Sequence, residues 1–343
     1  MSALSADLPD ELAARLTAWG EPAYRARQVF GALHARGRLD PRTITTLPVA
    51  LRERLAAEAP PATAIRERQD ARDGTTKLLL GLADGRAVES VLIPEKDRVT
   101  VCVSTQVGCP IRCVFCASGV RGLIRNLTAA EIVEPLLHAR AILGKRPSHI
   151  VLMGMGEPLL NLEAVVRAVR IWTHPDGMAM SPRRITVSTA LTPQRIEALA
   201  AADLGVNLAV SLHAPDDATR AELVPGSPAG RTAALVQAAG RFAATTRRDA
   251  TIEYVLIDRA NDRPEHADAL ADLLHGVPVH VNLIPFNPVG HRPDLKPPSG
   301  LAATGFARRL AERGVRVTLR TRRGDDIDAA CGQLALERAL GEA

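Results

Sequence analysis

From Arg98 to Leu319 the sequence repeats one unit: a short apolar run, a polar or glycine-rich junction, then a longer stretch with apolar residues at helical spacing. Strands are expected over 99–104, 149–153, 184–188, 206–212, 251–257, 279–284 and 315–319. Helices are expected between them, over 129–143, 162–172, 192–201, 232–245, 265–274 and 305–313. Strands that alternate with helices through short connections lie parallel, because each return crosses the sheet as a helix. Six or seven such units are too few for a closed barrel of eight. The expected fold is therefore α/β, a partial (β/α)6 barrel over residues 98–330.

Two segments precede the repeat. Residues 1–60 carry Leu12, Leu16 and Trp19, then Val29, Phe30 and Leu33, at helical spacings, with Gly20, Pro22, Gly37, Pro41 and Pro48 as punctuation. They read as a small helical accessory domain. Residues 61–97 read as a linker and a β-hairpin extension, in which runs over 76–82 and 87–93 flank Asp84-Gly85. Thr128 with Glu131 forms a capping box that should start the helix at 129.

Four of the five cysteines fall within residues 102–116, and Cys109, Cys113 and Cys116 form a Cys-x3-Cys-x2-Cys run after the first strand. A disulfide framework suits small secreted chains, whereas this one has 343 residues and no signal peptide is read at its N-terminus. Structural zinc wants a fourth ligand, and Ala117 to Gly122 offers neither Cys nor His. Three thiolates on a tight loop can instead hold a [4Fe–4S] cluster and leave one iron open to a ligand.

Function in such barrels gathers where strands end. The first strand runs into the cysteine loop, the second ends at Gly154-Met155-Gly156-Glu157-Pro158, the third at Ser188, the fourth at Ser211-Leu212-His213, and a later one at Asn287. The glycines would let the backbone approach a ligand, Glu157 could take an ammonium group, and Ser188, Ser211 and Asn287 offer hydroxyl and amide hydrogen bonds. Cys102 shares a strand face with Ser104 by alternation. Cys331 follows the polar, glycine-bearing 322–326, an approach that suits a reactive thiol better than a core residue.

Charge is less specific. The net charge is +5 with a pI near 9.2, and residues 308–323 hold seven arginines against one acid, Glu312. A solvated helix face and a phosphate-binding surface both fit that stretch. Arg121 and Arg125 are open to RNA phosphate or a cofactor carboxylate. Only nine aromatic residues occur, of which Phe115 and Phe286 fall in the cofactor segments and Trp19 and Tyr24 near the N-terminus. No apolar stretch is long enough to span a membrane, and a cytoplasmic monomer with reduced thiols is expected.

Taken in order, residues 102–109, Cys113, Phe115, Cys116, 125–128, 154–161, 211–215, 252–255 and 324–334 resemble one family of radical S-adenosylmethionine (SAM) enzymes. These are the adenosine C2 methyltransferases of 23S ribosomal RNA and transfer RNA. The resemblance covers nearly the whole chain, with 20–28 resembling the family's RNA-contacting accessory domain. It implies a radical-SAM barrel whose Cys109, Cys113 and Cys116 hold the cluster. It places SAM against Gly156, Glu157, Ser188, Ser211, Leu212, His213 and Asn287. Cys331, at the head of a C-terminal tail over 331–343, would be methylated by one SAM. A second SAM, cleaved reductively, would abstract hydrogen from that methyl group, and the carbon radical would add to adenine. Cys102 would then resolve the adduct, with a Cys102–Cys331 disulfide in oxidised protein, and Glu89 matches the proposed proton acceptor. An electron donor of flavodoxin or ferredoxin type is implied. Pro135 and the Ala117-Ser118-Gly119 and Ala190-Leu191 turns depart from the family pattern, which leaves a C8-specific adenosine methyltransferase as the alternative. A non-catalytic RNA-binding or ribosome-assembly protein is the alternative of another class, and it would need none of the five thiols.

Overall fold

The structure, a computed structural model, describes residues 3–228 and 230–334. Its N-terminal part is helical, with α1 (Pro9–Ala18), α2 (Arg25–Phe30) and α3 (Val49–Glu58). An antiparallel extension follows, β1 (Thr63–Asp70), β2 (Thr76–Leu82) and β3 (Ala87–Glu95), which continues into β4 (Arg98–Cys102). A ribbon of β5 (Gln106–Gly108) and β6 (Leu123–Asn126) brackets the cysteine loop. The repeat then runs α4 (Ala129–Leu143), β7 (His149–Leu152), α5 (Leu162–Thr173), β8 (Ile185–Thr189), α6 (Pro193–Ala201) and β9 (Asn207–Ser211). It continues through α7 (Asp217–Leu223), α8 (Thr232–Thr246), β10 (Ala250–Leu256), α9 (Pro264–Leu273), β11 (His280–Pro285), α10 (Gly300–Glu312) and β12 (Val317–Leu319).

Ten strands form one sheet in the order β1-β2-β3-β4-β7-β8-β9-β10-β11-β12. Pairing is parallel from β4 to β12, and β1 and β12 are its two edges, so the barrel is partial. The registers Thr100↔His149 and Ile150↔Ile185 bring the carboxyl ends of these strands to one level. The helices obey the expected chemistry. Helix α5 buries Val165, Ala168, Val169 and Trp172, one stripe at spacings of three and four. Helix α4 starts on the capping box, with Glu131 Oε2 accepting from Thr128 N–H at 2.8 Å, and runs through Pro135 to the left-handed Gly144.

Three elements were not legible in the sequence. Strand β1 reads Thr-Ala-Ile-Arg-Glu-Arg-Gln-Asp and is largely exposed, so it lacks the apolar alternation that marks a strand and is held by backbone pairing to β2. The β5–β6 ribbon is too short to carry a period, and α7 contributes only Arg220 and Leu223 to the interior. Most of the expected tail, residues 335–343, lies outside the described residues. Among the described residues no helix is long and apolar enough to cross a membrane.

One buried carboxylate helps join the N-terminal segment to the barrel. Glu134 on α4 is fully buried. Its Oε1 accepts from Ser5 Oγ (2.6 Å) and Ala62 N–H (2.9 Å), and its Oε2 from Thr63 N–H and Thr63 Oγ1 (both 2.7 Å). Because the Thr63 hydroxyl donates to Glu134, His138 Nε2, 2.9 Å away, donates to it in turn. Glu134→Ala would strand two buried amides and two hydroxyls, at about 1–3 kcal/mol for each group left unsatisfied. We expect a loss of at least about 3 kcal/mol in urea unfolding, with early proteolytic cleavage before residue 63; a loss below about 1 kcal/mol would show that water replaces the carboxylate.

Candidate active site

The cysteine loop is shaped before it binds anything. Cys109 N–H donates to Gly122 carbonyl at 3.0 Å and Val114 N–H to Leu223 carbonyl at 3.0 Å, so the ribbon and α7 grip its two sides. Gly108 has φ +77°, and a Cβ there would lie 2.0 Å from the Gly122 carbonyl oxygen; only glycine fits. Burial pushes the Cys109 thiol up to about 12, and the charges of Cys116 and Glu157 add to the shift. Burial likewise raises Cys113, with Cys116 and Cys109 as further causes, and raises Cys116.

All three thiols line one cavity of about 150 Å³. Among the described residues no three His, Cys, Asp or Glu side chains converge closely enough to hold a single metal ion. A cubane needs no such convergence, because each thiolate binds a different iron. Arg220 lies behind the loop, buried, donating from Nη2 to the carbonyls of Ala190 (2.9 Å) and Ser211 (3.2 Å). Its charge acts on Cys113, and no sequence signal had distinguished it from the other arginines.

The strand ends supply the rest of this wall: Gly156, Glu157, Ser188, Ser211, His213 and Asn287 all face the cavity. Glu157 Oε1 accepts from Leu159 N–H (3.0 Å) and Oε2 from Ala190 N–H (2.9 Å), and burial raises its pKa to about 7. Asn287 donates from Nδ2 to Cys331 carbonyl at 3.0 Å, while its buried Oδ1 has no partner among the described residues. A buried acceptor left open beside an acid, two serines and three thiols fits an amino-acid-bearing ligand. Ser188 and Ser211 hydroxyls lie 3.3 Å apart. His213, pushed down to about 3 by burial, is neutral; its Nδ1 accepts from Val255 N–H, and its ring meets Phe115 edge-on at 4.8 Å.

Some placements differ from expectation. Leu212 is wholly buried in the core and is not part of the wall. Gly154 and Gly156 also serve packing, which the sequence did not show: a Cβ would meet Ser104 Oγ at 2.7 Å in the first and Gln106 Cβ at 2.6 Å in the second, and both border the cavity. Arg125 is committed to Asp84 (2.6 Å) and Glu131 (2.9 Å). The basic stretch 308–323 divides. Arg308 pairs with Glu312, and Arg309 and Arg313 pair with Asp268 on the outside of the barrel. Arg320, Arg322 and Arg323 turn instead to a second cavity. Trp19 and Tyr24 each carry an arginine over the ring, Arg54 at 4.4 Å and Arg25 at 5.0 Å.

That second cavity, of about 310 Å³, contains Cys102, Cys116 and Cys331 in its lining. All five cysteines are free thiols. Cys102, buried on β4, has its pKa raised by burial and then by the charge of Cys331, which places the two thiols within electrostatic reach. Burial also raises Cys331, opposed by Arg320. Ser104 does not join Cys102 in the cavity; its hydroxyl donates to Glu89 carbonyl (2.7 Å) and accepts from Met155 N–H (2.9 Å).

The segment carrying Cys331 is held on both sides. Towards the antiparallel extension, Arg72 N–H donates to Asp326 (3.1 Å), Gly324 N–H to Asp73 (3.0 Å) and Lys77 Nζ to Asp328 carbonyl (3.2 Å). Towards the cysteine loop, Ala117 N–H donates to Gly332 carbonyl (2.7 Å) and Ser118 Oγ to Leu334 carbonyl (2.8 Å). Lys77 also pairs with Glu89 at 3.4 Å, both buried. Glu89 thus sits beside the anchor of the Cys331 segment and is not on the wall of the larger cavity. Lys77 was overlooked in the sequence, where a lone lysine inside the apolar run Thr76–Leu82 was the available signal.

A partial parallel barrel with three thiols on the loop after its first strand, and an open polar wall beside them, is the architecture of an iron–sulfur enzyme that binds SAM. Residues 103–281 match the radical SAM superfamily. The chain is 45% identical over 346 residues to the probable dual-specificity RNA methyltransferase RlmN of Synechococcus sp. (strain CC9311), covering 98% of this chain and 99% of that one. It is 44% identical to the dual-specificity RNA methyltransferase RlmN of Sorangium cellulosum (strain So ce56), with 98% of each covered. A crystal structure of a radical SAM methyltransferase from Sphaerobacter thermophilus superposes with a TM-score of 0.93 at 43% identity, covering 98% of this chain and all of that one. The chain belongs to the radical SAM superfamily and, within it, to the dual-specificity RNA methyltransferase family. Its cofactors are accordingly a [4Fe–4S] cluster and SAM.

Anaerobic reconstitution should therefore load about four irons per chain. Cys113→Ala should lose iron, sulfide and the visible absorption of the cluster together; stoichiometric zinc in the wild-type chain would contradict this assignment.

Proposed function

We propose that this enzyme methylates C2 of an adenosine in 23S ribosomal RNA at the peptidyl-transferase centre, and in transfer RNA next to the anticodon, through a methyl group carried on Cys331. We further propose that it works in the cytoplasm as a monomer, with electrons from a flavodoxin- or ferredoxin-type donor. Residues 1–60 serve as an RNA-contacting domain, 61–97 as linker and hairpin, 98–330 as the barrel and 331–343 as the tail. The observation that carries the reading is that Cys102 and Cys331 line one cavity with Cys116. An RNA-binding protein without catalysis has no use for two free thiols beside a cluster loop.

Cys109, Cys113 and Cys116 would hold the cluster. Gly156, Glu157, Ser188, Ser211, His213 and Asn287, with Leu212 through its main chain, would hold SAM. Bound there, cluster and SAM supply a methyl group and, on reductive cleavage, the means to abstract hydrogen from a methyl thioether. The chain does the remainder. Asn287 grips the main chain of Cys331 and so sets where its sulfur lies. Arg320 favours its thiolate, the form that accepts a methyl group. Once the carbon carried on Cys331 has joined the base, Glu89 takes the proton from C2 and the radical adduct gives up one electron, which the bound cofactors would accept. The Cys102 thiolate then attacks the Cys331 sulfur; the carbon–sulfur electron pair leaves on the methylene carbon, which takes a proton to become the methyl group, and a Cys102–Cys331 disulfide remains. Lys77, bonded to both Glu89 and the Cys331 segment, positions acid–base group and methyl carrier together.

Nucleoside mass spectrometry of RNA treated with the enzyme should find 2-methyladenosine; 8-methyladenosine would identify the C8 reaction, and neither would leave RNA binding alone. Cys331→Ala should transfer no methyl and form no adduct. Cys102→Ala should remain covalently attached to RNA on denaturing gels, and normal turnover without adduct in that variant would end the paired-thiol mechanism.

Glu157 gives a pH signature. Its carboxyl titrates at about 7 before a ligand arrives, and only the ionised form attracts the ammonium group of SAM. Affinity of the cluster-loaded protein for SAM should therefore rise with pH up to about 7, by at most about tenfold per unit below it, and level off above. E157Q should bind weakly with no such slope in equilibrium dialysis; a retained slope would place the ammonium group elsewhere.

A further inference from the structure

We infer that RNA reaches the reacting thiols through the end of the barrel opposite the cysteine loop, where Arg98 and Arg184 flank His149 and hold the phosphates around an extruded adenosine. The inference rests on the RNA methyltransferase reading above and adds to it the path.

The larger cavity runs along the strands. Its lining includes Arg98, Thr100 and Cys102 from β4, alternate residues of one face. His149 and Val151 from β7, with Arg184 just before β8 and Thr186 within it, repeat that pattern. The register Thr100↔His149 puts Arg98 and His149 together at the amino ends of the strands, whereas Cys102 and Cys331 lie towards the carboxyl ends. Four residues of strand separate Arg98 from Cys102, about 13 Å at some 3.3 Å per residue. That depth is on the scale of one nucleotide reaching inward from the strand path. The volume of about 310 Å³ falls at the lower bound of small-ligand sites.

Charge distinguishes this mouth from the outer face of α10. Arg184 is exposed, and its side chain has no hydrogen-bond or ion-pair partner among the described residues. Arg98 has one, Glu95, which also lines the cavity. His149 is held neutral first by burial and then by Arg98 and Arg184, so both guanidinium groups act on it. Farther in, Arg320 also lacks a side-chain partner among the described residues and faces Cys331 and Glu253. By contrast the arginines of α10, dense in the sequence, already have carboxylates. Two guanidinium groups against one carboxylate, with Arg184 left without a counter-ion among the described residues, at the mouth of a cavity that ends at the methyl-carrying thiol suit a polyanion whose base enters the cavity. A duplex cannot thread such an opening. The target adenosine therefore has to leave its stack to enter.

Two experiments with the full-length, cluster-loaded enzyme test this. A short RNA hairpin with an unpaired loop adenosine and an adjacent 4-thiouridine should photo-crosslink, in wild-type protein, to peptides spanning 94–100, 147–150 or 182–186. Crosslinks confined to α10 or to residues 1–60, or none at all despite binding, would overturn the path. In the second, the salt dependence of hairpin binding should flatten in R98Q/R184Q by 0.7–0.9 log–log units per charge, about 1.4–1.8 for two. R308Q/R309Q should keep the wild-type slope. An unchanged slope in the first variant, or a flattened one in the second, would move the phosphates to α10. Wild-type protein that neither binds nor methylates any adenosine-bearing RNA would instead refute the RNA methyltransferase reading itself.

Discussion

The unclosed seam of the sheet governs the site. Strand β12 has three residues and forms one edge, and β1 forms the other, so no ladder joins the end of the barrel to the antiparallel extension. The segment from Gly324 to Leu334 bonds to both sides of that seam, to Arg72, Asp73 and Lys77 on one and to the cysteine loop on the other. Left-handed backbone at Gly324, Asp328 and Gly332 lets it turn sharply enough to do so. Cys331 is therefore set in place by isolated hydrogen bonds of about 1 kcal/mol each. A strand position would be held far more tightly, and the looser grip suits the carrier role proposed for this cysteine.

The ionisable groups around this segment follow burial first. The three cluster-loop thiols and Cys102 are all raised by desolvation, so in the unloaded protein they hold protons, and binding of iron must displace those of the three loop thiols. Lys77 and Glu89 are buried as a pair, an arrangement whose desolvation cost offsets much of its Coulomb gain. Its worth lies in position: the same ammonium group reaches Asp328 carbonyl, three residues before Cys331.

Much of this was legible in the sequence, for reasons that also explain what was not. Strands such as β7 and β8 and helices such as α5 carry their period in apolar residues, and the three-cysteine spacing carries its chemistry on one loop. Strand β1 buries little, so nothing in its side chains announces it. The glycines of Gly154–Gly156 point to a ligand when read linearly, yet their missing side chains make room for Ser104 and Gln106, some fifty residues earlier. The docking of 324–334 depends on partners about 250 residues away, beyond any local pattern. The arginines of 308–323 look alike in the sequence, and only the fold shows which have carboxylates waiting.

The two cavities share Cys116, Ser118, Gly154, Asn287 and Cys331 in their linings. On one side of that partition are the cluster thiols, Glu157 and the serines of the strand ends; on the other are Cys102 and the arginine-rimmed shaft. A small group attached to the Cys331 sulfur can meet both sides through rotation about its side-chain bonds, with no need to dissociate. With SAM and RNA at opposite ends of one barrel, as proposed above, two bulky ligands would not compete for a single opening. Cys331 lines both cavities, and a residue hung on the seam can face both where a strand residue would be committed to one.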